Sequence, residues 1–268
     1  QGSGPNALLG QTMLFGDITN DERDELILAE PGQAGGSIYV FRGQDTIATD
    51  DLLDLSLVND AEWVFSDATA DNQSGFSLAV GDINRDDIND LLFGRLLGEK
   101  PGQTEDTGAV TIFTGRSGPM PSRMPYRTYA GLNARDFFGL SVSVIDDLDG
   151  DRINDLVVFA SRSELYGPFV GAPFFVSSDQ TQDFEPLKIP SDASGVRIGA
   201  ALAVVGDIND DRDEDLVVGA PGADLRGRGL NTGAALVYLG GQTGFDLFAT
   251  ETIDLFLSFR RKTNSAAP

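Results

Sequence analysis

The chain has 268 residues, with 42 Asp+Glu against 19 Lys+Arg, a formal charge of −23 and a sequence pI near 4.1. It contains no histidine and no cysteine, which excludes Ser-His-Asp and Cys-His catalysis, His/Cys zinc sites and disulfide staples. The charge argues against nucleic acid and against an anionic membrane surface, because both attract clustered Lys and Arg.

Acidity of this degree has two bland explanations, disorder and a salt-adapted surface. Disorder does not fit 41% hydrophobic residues, 17 Phe and acids interspersed with apolar runs. Salt adaptation stays open, since only three of the basic residues are Lys (Lys100, Lys188, Lys262). No apolar run approaches the ~18–20 residues that span a bilayer. The chain opens at Gln1 without Met or a leader-like segment, as a processed protein or an excised piece would. The length allows one large β domain or two smaller ones.

In chain order, one block recurs four times. Each block has a Gly-containing apolar strand, a nine-residue Asp-rich loop and a short apolar strand that opens, after the loop's last acid, with Leu. The loops read DITNDERDE from Asp17, DINRDDIND from Asp82, DLDGDRIND from Asp147 and DINDDRDED from Asp207, with starts 65, 65 and 60 residues apart. A glycine precedes each loop (Gly10, Gly75, Gly139, Gly199). A third, Gly-led strand follows from Gly36, Gly108, Gly171 and Gly233. A fourth, less regular segment closes each unit: AEWVFSD, PYRTYAG, EPLKIPS and ETIDLFLSF. No amphipathic stretch of helical period is long enough for a helix, so each unit reads as four short strands.

Four antiparallel strands in some sixty residues make a sheet the size of a propeller blade. One such sheet cannot bury both its faces, so neighbouring units must stack. The expected fold is therefore all-β, a β-propeller or propeller-like array. Its repeats run over about 8–66, 67–130, 131–190 and 191–258, and residues 259–268 form a polar tail. Trp63, on a closing strand, reads as packing.

Within each loop, position 1 is Asp (Asp17, Asp82, Asp147, Asp207) and position 5 is Asp (Asp21, Asp86, Asp151, Asp211). Position 3 is Thr19, Asn84, Asp149 or Asn209, and position 9 is Glu25, Asp90, Asp155 or Asp215. All sixteen positions offer side-chain oxygen. Calcium takes six to eight oxygen ligands, and a 1-3-5 spacing wraps a tight loop around one ion. The backbone carbonyl at position 7 (Arg23, Ile88, Ile153, Asp213) is the natural further ligand. Asp and Asn also favour turns without any ion, but that alone does not set one register four times. Position 6 holds Glu22, Asp87, Arg152 and Arg212 where loops of this type have Gly, and a positive φ there costs other residues. That argues against identical geometry, and the first loop, with Thr19 and Glu25, departs most. No helix flanks the loops, so they are not EF-hands.

These motifs resemble the FG-GAP repeats of integrin α-subunit β-propellers and their bacterial relatives. Phe138-Gly139 and Gly219-Ala220-Pro221 are the literal signatures. Elsewhere the pair has drifted to Leu9-Gly10, Ser74-Gly75 and Ile198-Gly199. The triplet has drifted to Ala29-Glu30-Pro31, Gly94-Arg95-Leu96 and Phe159-Ala160-Ser161. Gly171-Ala172-Pro173 is a decoy on a third strand. The resemblance covers residues 8 to about 258. It implies one Ca2+ in each loop, up to four in all, between the first and second strands of each blade. It also implies an extracellular or cell-surface adhesion or protein-interaction module whose calcium rigidifies one rim. Integrin-type propellers have seven blades and only four units are visible, so self-association or a further chain is expected to complete the ring.

The opposite rim carries the connections between second and third strands and offers Arg95, Lys100, Arg162, Tyr166, Arg226 and Arg228 as a ligand face for a protein or glycan. A lectin-like glycan binder is the alternative function, and a carboxylate-based glycosidase or lyase a more remote one. No carboxylate pair stands apart from the loops, so the chain is not expected to be an enzyme. The four loops hold 19 of the 42 acids, so the acidity belongs mostly to them.

Overall fold

A computed structural model describes residues 3–32, 35–43, 61–67, 72–98, 106–118, 124–147, 151–161, 171–177, 184–186, 199, 201–222 and 233–241. All regular structure among them is strand. The first sheet comprises β1 (Thr12–Gly16), β2 (Glu25–Glu30), β3 (Ser37–Phe41) and β4 (Trp63–Ser66). The second comprises β5 (Ser74–Gly81), β6 (Asp90–Arg95), β7 (Ala109–Phe113) and β8 (Arg127–Ala130). The third comprises β9 (Phe138–Ile145), β10 (Asp155–Ala160), β11 (Ala172–Val176) and β12 (Phe184–Pro186). The fourth comprises β13 (Leu202–Gly206), β14 (Asp215–Ala220) and β15 (Ala234–Tyr238). Neighbouring strands in every sheet are antiparallel and in sequence order. The chain is all-β, with four antiparallel sheets consistent with FG-GAP propeller blades. The segment ETIDLFLSF, expected to close the fourth blade, and the 259–268 tail lie outside the described residues.

The second strands read as nearly continuous apolar runs because both faces of a middle strand are buried. In β6, Leu91 and Phe93 join the core shared with blade 1, while Leu92 joins the core shared with blade 3. In β10, Leu156 and Val158 turn to blade 2, while Val157 and Phe159 turn to blade 4. A period of two thus sends alternate side chains into alternate seams. Three cores result, one per seam, and each large side chain buried there contributes ~1.5–3 kcal/mol. Trp63 is in the first seam, edge-on to Phe113 at 5.3 Å between centroids.

The glycines of the FG pairs in blades 2 to 4 are kept for a steric reason. Gly75 and Gly139 lie at register shifts of β5 and β9, with φ of +88° and +92°. Each also meets the first residue of the preceding blade's GAP triplet. A Cβ on Gly75 would stand 2.6 Å from the Ala29 Cβ, one on Gly94 1.9 Å from the Gly139 carbonyl, and one on Gly199 2.1 Å from the Phe159 ring. The FG pair of one blade therefore locks onto the GAP triplet of the blade before it, while the aromatic of the pair is free to vary.

Candidate functional site: the acidic loops

In every blade the loop joins the first strand to the second, and its first and last acids sit at the strand ends. The position-1 carboxylate is the loop's internal anchor. Asp82 Oδ1 accepts the N–H groups of Asn84, Arg85 and Asp86 at 3.2, 2.7 and 3.3 Å, and its Oδ2 that of Asp87 at 2.8 Å. Asp17 accepts Thr19, Asp21 and Glu22, and Asp207 accepts Asn209, Asp211 and Arg212, in the same pattern. Asp147 repeats the bond to position 6, from Arg152 at 2.7 Å. At position 5, Asp21, Asp86, Asp151 and Asp211 each accept the N–H of position 7 at 2.7–3.2 Å.

The loop bends through left-handed residues. Position 6 has positive φ in all four loops: Glu22 at 65°, Asp87 at 62°, Arg152 at 70° and Arg212 at 82°. Asn20, Arg85 and Asp210 at position 4 share it. The absence of glycine was expected to spoil this geometry. It does not, because the position-6 N–H is bonded to the position-1 carboxylate in each loop, which offsets the ~1–2 kcal/mol left-handed cost.

Position 9 is the deepest acid. Glu25, Asp90, Asp155 and Asp215 are fully buried. The Oδ2 atoms of Asp90 and Asp215 accept the N–H of position 2, and their Oδ1 atoms accept Gly115 and Gly240, just past the third strands. Burial, with the Asp86 and Asp82 charges beside it, pushes the Asp90 carboxyl up to about 7. Glu25 is raised by the same desolvation.

The FG-GAP repeat family matches residues 199–238, which span the fourth loop and its strands. Integrin alpha-PS5 of Drosophila melanogaster is 30% identical over 229 residues, covering 84% of this chain and 21% of that protein. Integrin alpha-V of Gallus gallus is 26% identical over 269 residues, 91% of this chain and 23% of that protein. The chain is an FG-GAP repeat protein related to integrin alpha subunits. Phosphatidylinositol-glycan-specific phospholipase D of Rattus norvegicus is also similar, at 29% identity over 69% of this chain and 22% of that protein. The chain thus spans about a fifth of the length of these curated relatives.

Fit to a cation differs among the loops of this FG-GAP chain. Among the described residues no group of three acidic side chains is gathered tightly enough to hold a metal ion. Position-1 and position-5 carboxylates face backbone N–H groups instead. Blade 2 nevertheless buries the Asn84 Oδ1 atom, at loop position 3, without a hydrogen-bond partner among the described residues. Its amide nitrogen donates to Asp90 Oδ1 at 3.3 Å, so the oxygen is turned away from that carboxylate. In blade 1 the corresponding Thr19 hydroxyl donates to Glu25 Oε1 at 3.3 Å. There Arg42 Nε and NH2 both bond Asp21 Oδ2, at 3.2 and 2.8 Å, and hold Asp21 below the usual carboxylate range. Asp149 lies outside the described residues.

On the ligand face, Arg95 is tied down. Its Nε and NH2 reach Asp67 Oδ2 at 2.9 and 2.8 Å, and Asn72 and Ser74 donate to the same oxygen. The guanidinium thereby latches blade 2 to the end of blade 1. Lys100, Arg162, Tyr166, Arg226 and Arg228 lie outside the described residues.

Position 8, which the ligand spacing passes over, stitches neighbouring loops. Asn89 Nδ2 donates to the Asp17 carbonyl at 3.1 Å, and Glu214 Oε2 accepts the Asp146 N–H at 3.1 Å. The carbonyls of Ile18 and Thr19 accept N–H groups of Arg116 and Gly118, just beyond β7. Blades 1 and 2, and blades 3 and 4, are therefore stitched together at their loops. The recurrence of Asn, Asn and Glu at position 8 of the last three loops is a weak sequence signal of that role.

Proposed function

We propose that the chain is a calcium-binding, integrin-like propeller module acting in adhesion or protein interaction outside the cell. Units 8–66, 67–130, 131–190 and 191–258 are its blades. Asn84 Oδ1 carries the reading, since a buried carbonyl oxygen without a donor is costly unless a cation or another donor faces it. The set available to the ion in blade 2 is Asp82, Asn84, Asp86, Asp90 and the Ile88 carbonyl. Hard oxygen donors of this kind suit Ca2+. Blade 3 offers Asp147, Asp149, Asp151, Asp155 and the Ile153 carbonyl. Blade 4 offers Asp207, Asn209, Asp211, Asp215 and the Asp213 carbonyl. When bound, the cation supplies positive charge that favours the ionised form of a carboxyl such as Asp90.

The chain's own residues do the rest. Position-8 side chains and the segment after the third strand carry loop geometry into the adjacent blade, so ordering a loop orders a seam. Likeness to integrin alpha subunits supports the protein-partner and cell-surface readings. Catalysis has no support in the loops, whose carboxylates are bonded to backbone. Calorimetric titration with CaCl2 tests the assignment. Saturable binding of two or three ions is expected, and an absence of binding heat up to several millimolar calcium would reject it.

A further inference from the structure

Two interlocks tie the seams, a knob in a glycine socket at the first two, with Ile145 at the socket position of the third, and a glycine lock at all three; both recur unfilled at the two ends of the stack. The first is a knob on the first strand. Phe15, Val80 and Val144 occupy one register position, opposite Leu26, Leu91 and Leu156. Val80 of blade 2 covers Gly16 of blade 1, where a Cβ would approach its Cγ1 to 2.8 Å. Val144 of blade 3 covers Gly81 of blade 2 in the same way, at 2.6 Å. Phe15 is the matching knob of blade 1 and is 64% exposed, and Met13 beside it is 58% exposed. Gly206 is the matching socket of blade 4, and among the described residues nothing lies within 4 Å of where its Cβ would stand.

The second interlock is the FG glycine on the preceding GAP triplet. Gly75, Gly139 and Gly199 have their partners in Ala29, Gly94 and Phe159. Gly10 of blade 1 has nothing within 4 Å among the described residues. Among the described residues the atoms nearest a Cβ on Gly219, the first GAP residue of blade 4, belong to Ala201 of its own blade. The open ends therefore carry opposite halves of one lock. Both patches are apolar and uncharged: Met13 and Phe15 at one end, Ala203, Val205 and Gly206 at the other.

We infer that a second copy of this chain docks head to tail, its Phe15 and Gly10 seated on the Gly206 and Gly219 side of blade 4, extending the blade stack by the contact used inside the chain. The inference does not depend on calcium binding. Such a heterologous contact closes a ring or grows, according to the rotation it imposes. The charge of −23 opposes association, so near-physiological salt, with a screening length of ~8 Å, is the right condition.

Light scattering on the full chain tests this with three proteins. The unmodified chain should rise in mass with concentration from 28.5 kDa to twice that or more. Phe15→Glu spoils only the knob end and Val205→Glu only the socket end, so each alone should stay monomeric. Mixed one to one, they should form a pair, since each retains the end the other lacks. Met13→Glu replaces Phe15→Glu if the latter loses its sheet circular dichroism. A chain that stays at 28.5 kDa throughout would overturn the inference, and would mean that another occupant covers the ends. Self-association of Val205→Glu equal to that of the unmodified chain would overturn it too, because that result requires a knob-to-knob contact.

Discussion

In the loop of blade 1 every side-chain oxygen nominated by the 1-3-5-9 spacing already has a hydrogen-bond partner within the protein, whereas among the described residues blade 2 leaves Asn84 Oδ1 buried with none. The backbone path is shared, down to the left-handed residue at position 6. Among the differences between the two blades, two bear directly on these oxygens. Thr19 stands where blade 2 has Asn84 and gives its hydroxyl proton to Glu25. Arg42 stands just past β3, where blade 2 has Thr114, and brings a guanidinium to Asp21. One repeat supplies its own cation; in the other, on the proposed calcium reading, a bound ion would take that place. Loop shape and ion demand are thus separable properties of the same motif.

The largest effect expected from this comparison is on global stability. Calcium at a hundred times its Kd should stabilise each occupied loop by about 2.7 kcal/mol. At about 2–4 °C per kcal/mol for a domain of this size, two or three sites should raise Tm well beyond 5 °C. A thermal melt in millimolar CaCl2 against one in EDTA measures it, and coincident melts would remove calcium from the account. Next in size is the contrast between single loops. Asp86→Ala should lower the number of bound ions by about one and abolish that loop's share of the Tm rise. Asp21→Ala should leave the ion count unchanged. If both variants lose one ion, Arg42 does not act as the internal cation.

Sequence pattern revealed the blades and loops because both are local. The 1-3-5-9 spacing places carboxylates at a tight turn, and period two in Leu91-Leu92-Phe93 sorts side chains between seams. What escaped was contact between units. Asn89 meets Asp17 from 72 residues away, and Arg95 meets Asp67 across the first seam. Both depend on how one sheet sits against another, which no within-repeat spacing encodes. Arg95 was therefore read as a ligand-face residue although it is half of an ion pair with little exposure. Position 6 erred in the other direction. The cost of positive φ to residues other than glycine argues against a shared bend, whereas the position-1 carboxylate holds that bend for Glu22, Asp87, Arg152 and Arg212 alike.

Removing the internal cation should bring the two loops closer. Arg42→Ala frees Asp21 Oδ2, so the first loop should gain calcium affinity a few-fold, the scale of an exposed ion pair. Titration calorimetry would show it as a weak additional site. An unchanged isotherm would place the deficiency of loop 1 in Thr19 rather than Arg42.

The smallest effect bears on the bend that the two loops share. Asp87→Gly removes a left-handed strain of about 1–2 kcal/mol and adds the ~0.5–1 kcal/mol entropy cost of glycine, a net stabilisation on the order of 0.5 kcal/mol. Glu22→Gly should do the same in blade 1, because the Asp17 bond it keeps is made by the backbone N–H and not by the side chain. Urea melts in EDTA isolate this term from ion binding. Equal small gains in both loops would show that position 6 shapes the turn and leaves ion demand to positions 3 and 5. A gain in blade 2 with a loss in blade 1 would mean that the Glu22 side chain contributes to the first loop beyond its backbone conformation.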